Sequence, residues 1–174
     1  SLYQDTVDVN LAKATYDDPL NLNAGLRIGD FHFRTMYDQF ETSEPPSFIS
    51  FRNFFADARY DLKVNPKFTL TPQLKYYNQI PWQYGYYGEE GNYFKARAER
   101  YSGSLQGSYD ITRKININAG GIYFTDKATD LLKTDYFQGS NSISFTNLAL
   151  FAQALFKHRL ANATVGFRYE RNNQ

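Results

Sequence analysis

The chain has 174 residues, with 19 Lys+Arg against 18 Asp+Glu and a formal net charge of +1. This balance excludes a strongly basic nucleic-acid footprint, because no cationic excess is left to neutralise phosphates. The absence of cysteine excludes disulfides and Cys-based zinc or iron–sulfur sites, while 18% aromatic residues exclude a disordered tract despite a mean hydropathy of −0.59.

Residues 1–19 read as a weak extra strand, at Val7–Lys13, or a leader to the strands after it, and SLYQDTVDVN carries no apolar h-region of a signal peptide. From Leu20 the period is two. Leu20, Leu22, Ala24, Leu26 and Ile28 form one face, and Asn21, Asn23 and Arg27 the other. After Gly29–Asp30, a two-residue hairpin signal, Phe31, Phe33, Thr35 and Tyr37 alternate with His32, Arg34 and Asp38. The pattern recurs at Phe54–Leu62, Phe68–Tyr76, Tyr101–Ile111, Ile115–Tyr123, Leu148–Phe156 and Ala161–Tyr169. These make about eight strands in hairpins. Tight connections are expected at Gly29–Asp30, Lys63–Lys67, Thr112–Lys114 and Lys157–Arg159. Long loops are expected at Thr42–Ser47, Asn78–Asn92 and Asp126–Ser142.

Three features favour lipid over water against the apolar face. Aromatic residues such as Tyr60, Tyr76, Tyr101, Tyr123 and Tyr169 sit near strand ends, where an interfacial girdle belongs. Each apolar run covers about nine to eleven residues, which suits a tilted strand crossing hydrocarbon. Small residues such as Ala56, Gly103, Gly121 and Ala154 leave gaps that acyl chains fill and a packed core does not tolerate. The expected fold is all-β: an antiparallel up-and-down transmembrane β-barrel over residues 20–174, either about eight strands of a larger barrel or a small closed one. A soluble sandwich is the weaker alternative, since soluble strands average about five or six residues.

The segments Asn147-Leu-Ala-Leu-Phe-Ala-Gln153 and Ala163-Thr-Val-Gly-Phe-Arg-Tyr-Glu170 resemble a hairpin of TonB-dependent outer-membrane receptors. Phe68-Thr-Leu-Thr-Pro-Gln-Leu74, after Tyr60-Asp-Leu-Lys63, resembles earlier strands of those receptors in Bacteroidota-type bacteria. The resemblance covers residues 20–174 and implies a wall segment of a barrel in the bacterial outer membrane. It implies import of a siderophore, haem, vitamin or glycan, with a plug domain and the inner-membrane TonB complex as partners. The sequence contains neither a plug nor a TonB-box region. The alternative is a complete eight-stranded outer-membrane barrel acting as an anchor, adhesin or lipid-handling protein.

The aromatic stretch Ile80–Phe94 points to a ligand surface presenting Trp82, Tyr84, Tyr86 and Tyr87 to a small molecule or glycan. Arg97 and Arg100 are candidates for an anionic group beside it. A lumen row of Arg34, Asp38, Asp57, Arg59, Asp61, Lys75, Arg97, Glu99, Arg168 and Glu170 is expected to pair internally. His32 and His158 lack acidic neighbours at metal-ligand spacing, so no metal, cofactor or catalytic residue is assigned and an enzyme is not expected. Lipid is an expected partner and nucleic acid is not.

Overall fold

A computed structural model describes residues 18–44, 47–86 and 89–173, with the side chains of residues 43–44, 82, 86 and 89–93 left aside. The extra strand expected at Val7–Lys13 lies outside the described residues. The strands are β1 (Leu20–Ile28), β2 (Phe31–Glu44), β3 (Ser47–Tyr60), β4 (Leu62–Asn65), β5 (Phe68–Tyr86), β6 (Glu89–Thr112), β7 (Ile115–Asp130), β8 (Ser142–Lys157) and β9 (Asn162–Asn173). They form one antiparallel sheet in the order β1-β2-β3-β5-β6-β7-β8-β9, each pairing with the next in that order. The short β4 continues the pairing of β3 with β5 after a break at Asp61. No ladder joins β1 to β9 among the described residues. A closed eight-stranded barrel needs that ladder, so the described strands form an open wall.

The register explains why the sheet has two unlike faces. The rows Leu26–Phe33–Ala58–Leu74–Gly103–Tyr123–Leu148, which ends at Arg171 on β9, and Leu62–Leu70–Gly107–Ala119–Ala152–Phe167 otherwise put only apolar or small residues and Tyr on one side. Little covers this side: Leu74 is 69% exposed, Val165 67% and Phe167 68%. Ala149 is the sole buried apolar residue among those described. An exposed apolar area spanning a whole sheet far exceeds the few hundred Å² that a soluble protein shows. Lipid is the medium that satisfies it.

The opposite face pairs with itself. Asn21 and Asn53 donate to Asp38 at 3.3 and 3.5 Å, Gln73 donates to Asp57 at 2.5 Å, and Asn116 donates to Asp110 at 2.8 Å. Asp61 accepts from Thr71 at 3.1 Å and meets Arg59 at 3.3 Å and His32 at 3.4 Å. Glu170 holds Asn147 at 2.7 Å and Arg168 at 3.2 Å. Arg97 and Glu99 leave this set, because uninterrupted alternation from Tyr101 puts them on the lipid side.

Strand lengths also depart from expectation. The stretches expected as loops at Thr42–Ser47 and Asn78–Asn92 are largely strand, since β2 runs to Glu44 and β5 and β6 hold 19 and 24 residues. Register shifts between Gln79 and Gln83 and between Tyr84 and Tyr86 absorb Pro81 and Gly85. Between Asp130 and Ser142 the connection stays long, and the opposite end keeps tight turns such as Gly29–Asp30. There Lys63 reaches Asp30 at 2.8 Å and holds its carboxyl below the usual range.

The aromatic ends of the apolar band run obliquely across the ladder rows. On the long-loop side the band ends at Tyr37 and Phe54, then Tyr76 and Tyr101, then Tyr123, then Tyr169. On the tight-turn side it ends at Phe31 and Tyr60, then Phe68 and Tyr109, then Phe156. The row through Tyr169 meets β2 at Phe31, and Tyr37 lies about six residues further along that strand. At about 3.4 Å per residue and 4.8 Å per strand, both edges slope by about 35–40°.

Candidate solute-facing site

On the polar face, β5 to β8 align Tyr77, Arg100, Asp126 and Phe145 in one row. The next row is Gln79, Ala98, Ala128 and Ile143. The two alanines are cross-strand partners and make a shallow floor beside taller side chains. The result is a concavity of about 520 Å³ lined by Tyr77, Gln79, Ala98, Arg100, Asp126 and Phe145, among others. The Tyr77 ring packs on Phe55 with centroids 4.7 Å apart. Arg100 grips Asp126 through two bonds of 2.5 and 2.6 Å, and its guanidinium lies 4.3 Å from the centre of the Phe124 ring. The bidentate pair is neutral as a unit. It offers a solute spare N–H donors and carboxylate lone pairs beside two aromatic walls. That mixture suits hydroxyl-rich or flat polar molecules better than free anions.

A second concavity, of about 350 Å³, lies toward the extended ends of β3, β5 and β6. Ile49, Phe51, Tyr84 and Phe94 line it. The Phe94 ring meets Tyr136 at 5.4 Å, and Tyr136 meets Phe137 at 5.3 Å, so the loop after β7 adds to the aromatic surface. The Leu131 N–H ties this loop to the Lys95 carbonyl at 3.0 Å. Asp130, 5% exposed, fixes its base by accepting from the Thr134 hydroxyl at 2.6 Å and from the N–H groups of Leu132 and Thr134 at 2.9 and 2.6 Å. These bonds, the Thr134 hydroxyl foremost, hold the Asp130 carboxyl below its ordinary range.

Of the six residues singled out from sequence, Tyr84 lines the upper concavity and Arg100 the lower one. Arg97 faces lipid, three residues and so one face away from Arg100, with its Nε buried and unbonded. The Trp82 and Tyr86 side chains, and Tyr87 altogether, fall outside the described set. Tyr77, Phe145, Phe51 and Phe94 escaped the sequence reading. One signal was available: in the doublets Phe54–Phe55, Tyr76–Tyr77 and Tyr123–Phe124, alternation sends one ring of each pair inward. Among the described residues no group of three or more His, Asp or Glu side chains is placed to hold a metal.

Among solved structures, the chain is similar to OmpT, an outer membrane protein of Vibrio cholerae, in its trimer form. The TM-score is 0.52 at 14% identity, over 90% of this chain and 46% of that one. The fold is that of an outer-membrane β-barrel. The barrel of a loop-L8 deletion mutant of the same Vibrio cholerae protein matches equally, with a TM-score of 0.52 at 13% identity over 90% of this chain and 49% of the other. This chain thus spans about half the length of the barrels it matches, and the likeness supports the bacterial outer membrane as its place. No protein-family profile matches the sequence, and no curated protein does.

Proposed function

We propose that the chain is part of the wall of an outer-membrane solute receptor of the TonB-dependent kind, as its hairpin motifs suggest. The observation that carries this reading is the concavity bounded by Tyr77, Arg100, Asp126 and Phe145 on the face turned away from lipid. A wall serving only as an anchor has no use for a solute-sized hollow with convergent polar groups on its inner side. The open β1 and β9 edges and the half-length match both support a larger barrel over a self-contained eight-stranded anchor or adhesin. Among the solutes such receptors import, the neutral Arg100–Asp126 fork and the aromatic walls favour a glycan or a flat polar chelate. A plug domain and an inner-membrane TonB complex would be partners, and the chain itself performs no chemical step.

The test is uptake in cells of the source bacterium with and without the gene, using labelled oligosaccharides and chelates. Uptake that needs the gene and stops when a protonophore collapses the proton gradient is the expected result. Gene-dependent uptake that continues without the gradient would identify a passive pore. A Tyr77→Ala, Phe145→Ala double variant is expected to raise the half-saturating solute concentration by about tenfold, from two lost aromatic contacts.

A further inference from the structure

Beyond the aromatic edge on the long-loop side, the lipid-facing positions turn basic. Arg52 follows Phe54 on β3, and Arg171 follows Tyr169 on β9, each at the next position on the same face. Arg97 and Lys127 stand two positions beyond Tyr101 and Tyr123 on β6 and β7. Arg97 pairs with Thr129 and Lys127 with Glu99, so the two cations are diagonal neighbours about 7–8 Å apart. Arg52, Lys127 and Arg171 are exposed, and the Arg97 Nε has no bonding partner. Among the described residues the acids on this face are Glu41, Glu99 and, by the alternation that precedes Leu20, Asp18, whose N–H donates to the Glu41 carbonyl at 3.0 Å; Glu99 already accepts the Tyr76 hydroxyl at 3.1 Å.

We infer that these four cations bind the phosphate groups of anionic lipids at the membrane surface on the long-loop side. The surface continues the lipid-facing band without a break and follows its oblique edge, which is where headgroups must lie. From β3 to β9 the row crosses five strand spacings, about 24 Å perpendicular to the strands and about 30 Å along its oblique edge, too wide to cup one free phosphate and suited to a line of adjacent headgroups. Lys and Arg near an anionic surface each strengthen binding by about fivefold, and salt weakens the effect. Lys127 and Glu99 also line the Tyr77–Phe145 concavity, whereas Arg52, Arg97 and Arg171 do not, and lipid retention is read without any solute present.

The experiment titrates the intact detergent-solubilised protein with phosphatidylglycerol, phosphatidylcholine or inorganic phosphate and counts retained lipid by native mass spectrometry. Retention of phosphatidylglycerol over phosphatidylcholine, falling about tenfold or more in an Arg52→Gln, Arg97→Gln, Lys127→Gln, Arg171→Gln variant, is the expected result. Glu99→Gln is expected to act oppositely and raise retention about threefold to fivefold, which a misfolded variant does not imitate. Equal loss in a charge-matched turn-side control, Lys67→Gln, Lys114→Gln, Lys157→Gln, Arg159→Gln, would overturn the inference. So would full retention in the long-loop-side variant, or displacement of the lipid by equimolar inorganic phosphate. Preference for an acidic protein over the lipid at equal charge would likewise overturn it.

Discussion

At Gly120 a Cβ would stand 2.5 Å from the Leu105 carbonyl oxygen, 2.9 Å from the Phe151 ring and 3.0 Å from the Gln106 Cα. Two of these atoms are backbone on the neighbouring strand and cannot rotate away. At Gly121, one residue on, the close atom is the Leu150 side-chain tip at 3.1 Å, which borders lipid and can turn. Gly120→Ala is therefore expected to destabilise the sheet by about 1–3 kcal/mol, while Gly121→Ala changes it by less than about 1 kcal/mol. Urea unfolding in lipid vesicles, followed by the fluorescence of the chain's single Trp, distinguishes them. Equal effects would mean that β6 and β7 are not in the register described. The Arg100–Asp126 pair makes a different residue-scale case. Both side chains are partly exposed, at 47% and 31%, so water screens the attraction despite the short bonds. Arg100→Gln is expected to cost less than about 1 kcal/mol in the same unfolding assay while weakening solute retention. A larger loss of stability would make the pair a structural clamp instead of a binding surface.

At the scale of elements, the loop between β7 and β8 hangs on Asp130. Its carboxyl is held below the ordinary carboxylate value, so its stabilising effect is complete above that value and lost as pH falls through the lowered one. Protection of the Leu132 and Thr134 amides, measured against the intrinsic exchange rate at each pH, is expected to be high at neutral pH and to fall as the pH drops through that lowered value, and Asp130→Asn is expected to give low protection throughout. Protection unchanged by the substitution would show that the Leu131–Lys95 backbone bond alone holds the loop. The strand middles were legible from sequence because alternation there is strict, from Leu20–Ile28 through Ala163–Tyr169. The extensions of β5 and β6 were not. Pro81 and Gly85 look like loop residues, and each irregularity shifts the register that a period-two reading relies on. For the same reason Tyr84 could be named but not given a face, and its neighbours Phe51 and Phe94 stayed hidden. Arg97 and Glu99 were read into the lumen row, although counting back from Tyr101 puts both on the lipid side.

For the whole molecule, orientation in the membrane follows from two independent rows of aromatic rings. One runs from Tyr37 to Tyr169 and the other from Phe31 to Phe156, and they slope the same way by nearly the same amount. Were the aromatics scattered for local packing, their rows would have no reason to stay parallel. If both mark membrane surfaces, the strands must tilt by that slope so that the rows lie flat. The backbone groups on the β1 and β9 edges add a constraint, because each unpaired N–H or C=O facing hydrocarbon costs several kcal/mol. In the membrane those edges must be paired, and a closed barrel reconciles such pairing with the stagger of about one residue per strand that the rows show. Polarised infrared spectroscopy of the intact protein in oriented bilayers is therefore expected to give a mean strand tilt of about 35–40°. A tilt below about 20° would show that the aromatic rows are not the membrane boundaries, and the basic row beyond Tyr101 and Tyr123 would then no longer stand at the headgroups.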